Sequence, residues 1–440
     1  MTGPWLGAVA DDLTGACDLA DAVSEQGESA IVVVGTPGGP PPACGCAVVA
    51  LKSRTAPRAE AVGDSLTAAR WLVEAGCTTI YQKYCSTFDS TDEGNIGPVA
   101  DALVQLATAG RAGPAGGAPS VGTPATPRVG RTLYQGQLFV GRQLLSESPL
   151  RDHPLTPMRD SDLVRVLSRQ TRATVALVDW NTVAAGPERI HAAIDAARRT
   201  GAGHVLVDAL TETDLDNLAT ALLRAPTGDA PLVAGGAAGL AAALARVRGG
   251  GTPSPGLNRA AARAVPAVPN GRRLILSGSC SARTREQVAR FTGPLVSLSP
   301  VDLDADFGQT VDAVLAAVAE AYRTTDDPVL VSSSADPVLV ARYDSQLGPG
   351  RSAELLEAAA GEIAARAIAT LGVRRLLTAG GETAGAVVRA LGLGVLRVGP
   401  AVGPGLPWMV PDPDPKLAIL FKSGNFGEPD LFHTAWKLAP

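Results

Sequence analysis

Two adjacent carboxylates, Asp11 and Asp12, stand where a short apolar run gives way to a helical pattern. Paired carboxylates at a strand tip can act as a general base, a Mg²⁺ ligand, or both. A plainer role is open to one of them, capping the helix that begins near Thr14, and it leaves the other without a task. Gly15 lets a ligand approach the first helical turn closely. Farther along, Lys52, Ser53, Arg54 and Thr55 put two cations and two hydroxyls in a row. A later run ends in Lys83-Tyr84-Cys85-Ser86-Thr87-Phe88-Asp89-Ser90-Thr91, with Asn95 between Gly94 and Gly97. An arginine with neighbouring hydroxyls suits a carboxylate clamp, because a guanidinium engages both oxygens at once. On this reading Arg54, Ser53, Ser86 and Thr87 bind an organic acid and Asn95 reads its hydroxyls. Any one of these motifs taken alone is better explained as a polar turn.

A second set lies in the C-terminal half. Ser277-Gly278-Ser279-Cys280-Ser281, Ala379-Gly380-Gly381-Glu382-Thr383-Ala384-Gly385 and Lys422-Ser423-Gly424-Asn425-Phe426-Gly427 each follow an apolar run. Glycines with hydroxyls at helix N-termini make anion cradles, since free N–H groups and the helix dipole point at the ligand. Three in about 170 residues suggest phosphate handling, with Ser277, Ser279, Gly380, Gly381, Thr383 and Gly424 as the contacts. Glu382 suits Mg²⁺ or ribose hydroxyls, or merely complements the helix dipole. No phosphate-loop motif ending in Gly-Lys-Ser/Thr is present, and no dinucleotide fingerprint joins a strand to a helix. Gly235-Gly236-Ala237-Ala238-Gly239 resembles such a fingerprint only loosely, and close helix packing accounts for it. Of only five lysines, three (Lys52, Lys83 and Lys422) fall in these candidate loops.

Such residues need strand ends to hold them. Trp5–Ala10, Ala30–Val34, Cys46–Leu51, Thr79–Lys83, Thr174–Val178 and His204–Val207 read as strands. Thr14–Gln26, Arg58–Glu74 and Pro187–Thr200 read as helices between them. In the second half Arg273–Leu276, Pro328–Ser332, Arg375–Thr378, Val395–Val398 and Leu417–Phe421 are strand-like. Thr284–Phe291, Ala353–Leu371 and Glu382–Leu391 are helical. This alternation predicts an α/β chain of two domains, each a mainly parallel sheet flanked by helices, with ligands at the carboxyl ends of the strands. A Gly/Pro-rich stretch marks a linker over 249–270, which separates an acid-binding domain over 1–248 from a nucleotide-binding domain over 271–440. The active site is expected in the cleft between them. Gly110–Arg128, rich in Gly, Ala and Pro, reads as a mobile surface loop or insertion.

Composition removes several classes. Hydrophobic residues at 46% and charged residues at 18% describe a globular chain. A formal charge of −5 and few aromatics argue against a nucleic-acid partner. Pro231–Ala245, the least polar long stretch, is too short to span a bilayer, and the N-terminus lacks a signal-peptide pattern. Six scattered cysteines and four histidines show no structural-zinc or histidine-ligand spacing, and the ligands of any metal are left open. Reduced thiols point to the cytoplasm.

At these motifs the chain resembles the four-carbon acid sugar kinase family. The marks are Ala10–Ala16, Lys83–Pro98, Ser277–Ser281, Ala379–Gly385 and Lys422–Gly427. Within the family, Tyr84–Thr91 is similar to the 3-oxo-tetronate 4-kinase form. Threonate and erythronate kinases carry a shorter Lys-(Ile/Leu)-Asp-Ser-Thr-x-Arg-Gly-Asn form there. Similarity continues at Thr132–Gly136 and Arg151–Met158. The resemblance implies ATP-dependent phosphorylation of the 4-hydroxyl of a 3-oxo four-carbon sugar acid. It implies acid contacts around Asp12, Arg54, Lys83 and Ser86, and nucleotide contacts at Ser277, Gly380–Thr383 and Gly424. The resulting expectation has Arg54, Ser86 and Thr87 hold the acid's carboxylate. Asp12, with Asp11 as second choice, takes or orients the hydroxyl proton, and Mg²⁺ with Lys83 offsets phosphoryl charge. Ala237 and Ala238 depart from the family's frequent Ser, which removes a hydroxyl. A threonate or erythronate kinase, and a silent sugar-acid sensor of the same fold, are the alternatives. Partners are a small sugar acid and ATP, with neither nucleic acid nor membrane, and a homo-oligomer is left open.

Overall fold

The computed structural model describes residues 3–109, 118–153, 156–224, 231–250 and 256–440. It divides into two compact units, Met1–Ala262 and Arg263–Pro440. The stretch read as a linker carries a short helix, Gly256–Ala262, in its middle.

The first unit is built on an eight-stranded sheet. Its strands are β1 (Leu6–Ala10), β2 (Ala30–Val34), β3 (Cys46–Ala50), β4 (Thr79–Lys83), β5 (Ser120–Thr123), β9 (Thr174–Val178), β10 (Ala202–Val207) and β11 (Leu232–Gly236). The order is β2-β3-β1-β4-β11-β5-β10-β9, and every pairing is parallel. The central strands are buried on both faces, so they read as continuous apolar runs instead of alternating ones. β1 lies between β3 and β4, and Ala10 stands level with both Ala50 and Lys83. The chain leaves all three strands at the same edge, where the Asp11, Ser53 and Tyr84 loops begin.

Residues 118–128 are not the surface loop that their Gly and Pro content suggests. β5 runs through the interior of the sheet between β11 and β10. Val121 is its one large apolar side chain, too weak a signal to show as a strand in sequence. The backbone of β5 lies against β11 so closely that a Cβ on Gly122 would collide with the Gly235 carbonyl. Residues 110–117 of the expected loop, and Pro154 and Leu155 of the Arg151–Met158 motif, lie outside the described residues.

Between β5 and β9 a small antiparallel ribbon intervenes, β6 (Arg131–Tyr134), β7 (Gln137–Val140) and β8 (Gln143–Leu144). Buried Asp208 pins its Gln135-Gly136 turn by accepting bonds from both amides, and from that of Trp180.

The second unit holds β12 (Arg272–Ser277), β13 (Leu295–Ser297), β14 (Val329–Ser332), β15 (Val373–Ala379), β16 (Val395–Ala401), β17 (Pro407–Asp412) and β18 (Ala418–Lys422). The order is β13-β14-β12-β15-β18-β17-β16; the first five are parallel and the last two join antiparallel. β15 is central, and Ala379 stands level with Ser277 and Lys422. Trp408, Leu420, Phe432 and Ile275 fill the core on one side. Strand bounds read from sequence hold to within about two residues except at β16, which extends to Ala401. β17 was not legible, since Pro407 and Pro411 interrupt its pattern.

Gly122→Ala should destabilise the first unit by about 2 kcal/mol through overpacking against β11. Urea denaturation followed by circular dichroism checks it; an unchanged midpoint would show that the two backbones can part.

Candidate active site

In the first unit the loops after β1, β3 and β4 are laced together by main-chain bonds. Leu51 N donates to Ala10 O, Ser53 N and Arg54 N to Asp11 O, and Asp11 N to Lys83 O. The lacing fixes where their side chains emerge. Arg54 turns back over β1. Its Nε and Nη2 donate to the two oxygens of Asp11 at 2.8 and 3.0 Å, and Nη2 also reaches Asp12 Oδ2 at 2.9 Å. Nη1 faces Asp89 Oδ2 at 3.8 Å. The expected substrate clamp is therefore engaged by three carboxylates of the protein itself.

Asp12 is the N-cap of the Leu13–Ser24 helix, as the plainer sequence reading allowed. Its Oδ1 accepts from Gly15 N at 2.6 Å and Oδ2 from the Thr14 hydroxyl at 3.2 Å. Asp11 also has a task, the Arg54 pair. Burial alone would push the Asp12 carboxyl up, but Arg54, Lys83, the Gly15 amide and the Thr14 hydroxyl together outweigh it. They hold Asp12 below the ordinary aspartate value. It is the more open of the two, its side chain 28% exposed against 16%. A glycine at 15 is required because a Cβ there would meet Asp12 Oδ1 and the Lys83 ammonium. Lys83 itself is buried and donates to Tyr84 O at 3.0 Å.

The remaining candidates divide. Thr87 is buried and donates to Asp89 Oδ1 at 2.6 Å, while Ser86 is half-buried beside it. Asn95 is buried and spends its amide on Ser53 O and Ala56 O, so it ties the β3 loop to the helix Ile96–Thr108. Ser53 is buried at the same seam. Sequence reasoning passed over Asp89, which joins Arg54 to Thr87. The signal was its place within the Lys83–Thr91 motif. Phe88 puts it there: at φ +53, with its ring buried edge-on to Tyr84 at 5.2 Å, it turns the chain between Thr87 and Asp89. Such a backbone costs a large residue about 1 kcal/mol or more. Burial, with Asp89 nearby, pushes the Cys85 thiol up to about 12, so it is no nucleophile.

The second unit repeats the construction at β12, β15 and β18. Gly278 N and Ser279 N both donate to Ala379 O, and Gly380 N donates to Lys422 O. The three glycine loops therefore meet at one edge. Ser281 caps the helix Ala282–Arg290, whereas the helix Gly381–Ala390 starts at Gly380 with no side-chain cap. Beside them lies a cavity of about 220 Å³. Leu276, Val340, Tyr343 and Ile363 give it apolar walls, and Ser277, Gly278, Glu382 and Thr383 a polar mouth. The mouth also includes Ser333, and Ser334 bonds the Ser277 hydroxyl at 2.8 Å, two residues that sequence did not single out. No group of three or more His, Cys, Asp or Glu that could hold a metal occurs among the described residues.

Residues 6–244 match the family model of a sugar-binding N-terminal domain, and residues 274–432 that of a nucleotide-binding C-terminal domain. The 3-oxo-tetronate kinase of Methylobacterium radiotolerans is 44% identical over 98% of each chain. The chain belongs to the four-carbon acid sugar kinase family. A 3-oxo-tetronate kinase of Burkholderia multivorans is 42% identical to this family member, over 98% of this chain and 96% of that one. A crystal structure from Salmonella typhimurium LT2 has a TM-score of 0.84 and 35% identity over 99% of both chains. No described helix is long and apolar enough to cross a membrane.

Because its folded value is lowered, Asp12 adds stability that is complete above the unfolded aspartate value near 4 and is lost as pH falls through the folded one. Asp12→Asn, which keeps the cap but not the charge, should be about 1 kcal/mol less stable than wild type at pH 7. The gap should narrow as pH falls below about 4. Denaturant midpoints followed downward from pH 7 check it; a pH-independent gap would contradict an ionised Asp12.

Proposed function

We propose that the chain transfers the terminal phosphate of ATP to the 4-hydroxyl of a four-carbon sugar acid, 3-oxo-tetronate. The observation that carries this reading is the carboxylate pair at the tip of β1. Asp12 is held ionised at a helix N-terminus and is open enough to accept a hydrogen bond from a substrate hydroxyl. Phosphoryl transfer asks for positioning and charge stabilisation more than for covalent chemistry. Arg54 supplies the first by fixing Asp11 and Asp12, and buried Lys83 supplies cationic charge beside them. The half-buried Ser86 hydroxyl and the surrounding Lys83–Thr91 loop are assigned to the acid itself.

The nucleotide is assigned to the second unit. Its base fits the apolar cavity, and its phosphates fit the Ser279 and Thr383 hydroxyls and the Gly380–Gly381 and Ser423–Gly424 turns. Mg²⁺ favours nucleotide phosphates with one or two carboxylates over an all-protein cage. Glu382, in the first turn beside Thr383, is the carboxylate we assign to it. Mg²⁺ would offset phosphate charge there.

A panel of 3-oxo-tetronate, threonate and erythronate with Mg·ATP, read by ADP release, tests the reading. The 3-oxo acid should give the highest kcat/KM. A preference for a reduced acid would move the chain to that branch, and no acid-dependent ADP release would make it a sensor. Asp12→Asn should lower kcat about 10²- to 10⁴-fold with a small change in KM; near-normal turnover would remove Asp12 from the chemistry.

A further inference from the structure

Lys422, the last residue of β18, is fully buried, yet its amine is ringed by oxygen. Nζ lies 2.7 Å from Thr284 Oγ1, 3.1 Å from Ser423 O and 2.8 Å from Gly424 O. None of the three can give a hydrogen back. Two are carbonyls, and the Thr284 hydroxyl donates its own hydrogen to Gly424 O at 2.9 Å. Three acceptors need three donors, which only the ammonium form has. A neutral amine would serve only two of the three; with Gly424 O released to the Ser281 and Thr284 hydroxyls, the turn would lose its tie to the end of β18.

The surroundings work the other way. On the helix Ala282–Arg290 the ionisable groups are Arg283, Arg285, Glu286 and Arg290, with Glu286 paired to Arg283 and Arg290. The helix Gly381–Ala390 brings Glu382 in its first turn, and the register neighbour on β15 is Ala379. Lys422 therefore has no close carboxylate partner among the hydrogen bonds and ion pairs it makes. Burial, with the cation Arg283 nearby, pulls its value down to about 7.

We propose that Lys422 is a positioning residue whose ammonium holds the Ser423–Gly424 turn in the form that receives phosphate, and that nucleotide binding draws a proton onto it. This rests on the assignment of the nucleotide to the second unit. The amine does not touch the phosphates, since its donors are spent on the protein. It acts through Gly424, whose carbonyl also receives the Ser281 and Thr284 hydroxyls at the start of the Ala282–Arg290 helix. A polyanion beside the turn favours the charged form, so the free protein, only partly protonated near neutrality, takes up a proton as the cradle fills.

Titration calorimetry with Mg·ADP, in buffers of differing ionisation enthalpy at pH 7.5, reads the proton directly. Wild type should take up roughly half a proton or more, and its Kd should rise at least about tenfold from pH 7 to pH 9. Lys422→Met should lose both effects and bind more weakly at pH 7. Arg283→Gln, on a partly exposed side chain, keeps the test available if that variant does not fold. Removing its cation should raise the free Lys422 value and reduce the uptake. Mg·ADP binding without proton uptake, or uptake that survives in Lys422→Met, overturns this inference alone. Absence of any Mg·ADP binding overturns the nucleotide assignment beneath it as well.

Discussion

One guanidinium organises the first unit's site. Arg54 reaches from the loop after β3 to carboxylates on the loops after β1 and β4, and so ties the tips of three neighbouring strands through side chains as well as backbone. Adjacent aspartates with nothing between them would repel, and one would keep a proton. With Arg54 across both, Asp12 stays ionised while also closing the first turn of its helix. The planar fork is essential because it meets two oxygens of Asp11 and still reaches Asp12, which the point charge of a lysine cannot do. An arginine so engaged does not also offer an open fork to a substrate carboxylate. In the proposed function that duty is assigned to the hydroxyls and main chain of the Lys83–Thr91 loop.

The two units use the same local device for different ends. In each, a central strand ends in alanine, level with a neighbouring strand that ends in a buried lysine: Ala10 with Lys83, and Ala379 with Lys422. Small residues at the centre leave room for the loops to converge, and the lysine places charge beneath them. Lys83 has aspartates close by, whereas Lys422 faces neutral oxygens and a neighbouring arginine. The proposed proton uptake belongs to Lys422, the one with no carboxylate among its hydrogen bonds.

Much of this was legible in the sequence because parallel strands buried on both faces appear as plain apolar runs, and glycine or hydroxyl clusters mark where they stop. β1 to β4, and the loops holding Asp11, Asp12, Arg54, Lys83, Gly380 and Gly424, were found that way. β5 was hidden because its fit depends on the missing side chain of Gly122, and absence leaves no periodic trace. The protein's own partners of Arg54 were hidden for a related reason. Spacing shows that an arginine stands at a strand end, but a sequence separation of 43 conceals that Asp11 and Arg54 meet. Asp89 was overlooked because its position depends on the left-handed turn at Phe88, a conformation that a phenylalanine does not advertise.

The most direct test of this organisation is the steady-state kinetics of Arg54→Lys, which keeps the charge and removes the fork. The account expects kcat with 3-oxo-tetronate to fall about 10²-fold or more as Asp12 loses its fixed position, while KM for ATP stays within about twofold of wild type. Turnover close to wild type would show that the carboxylate pair needs no guanidinium to hold it, and would contradict the account at its base.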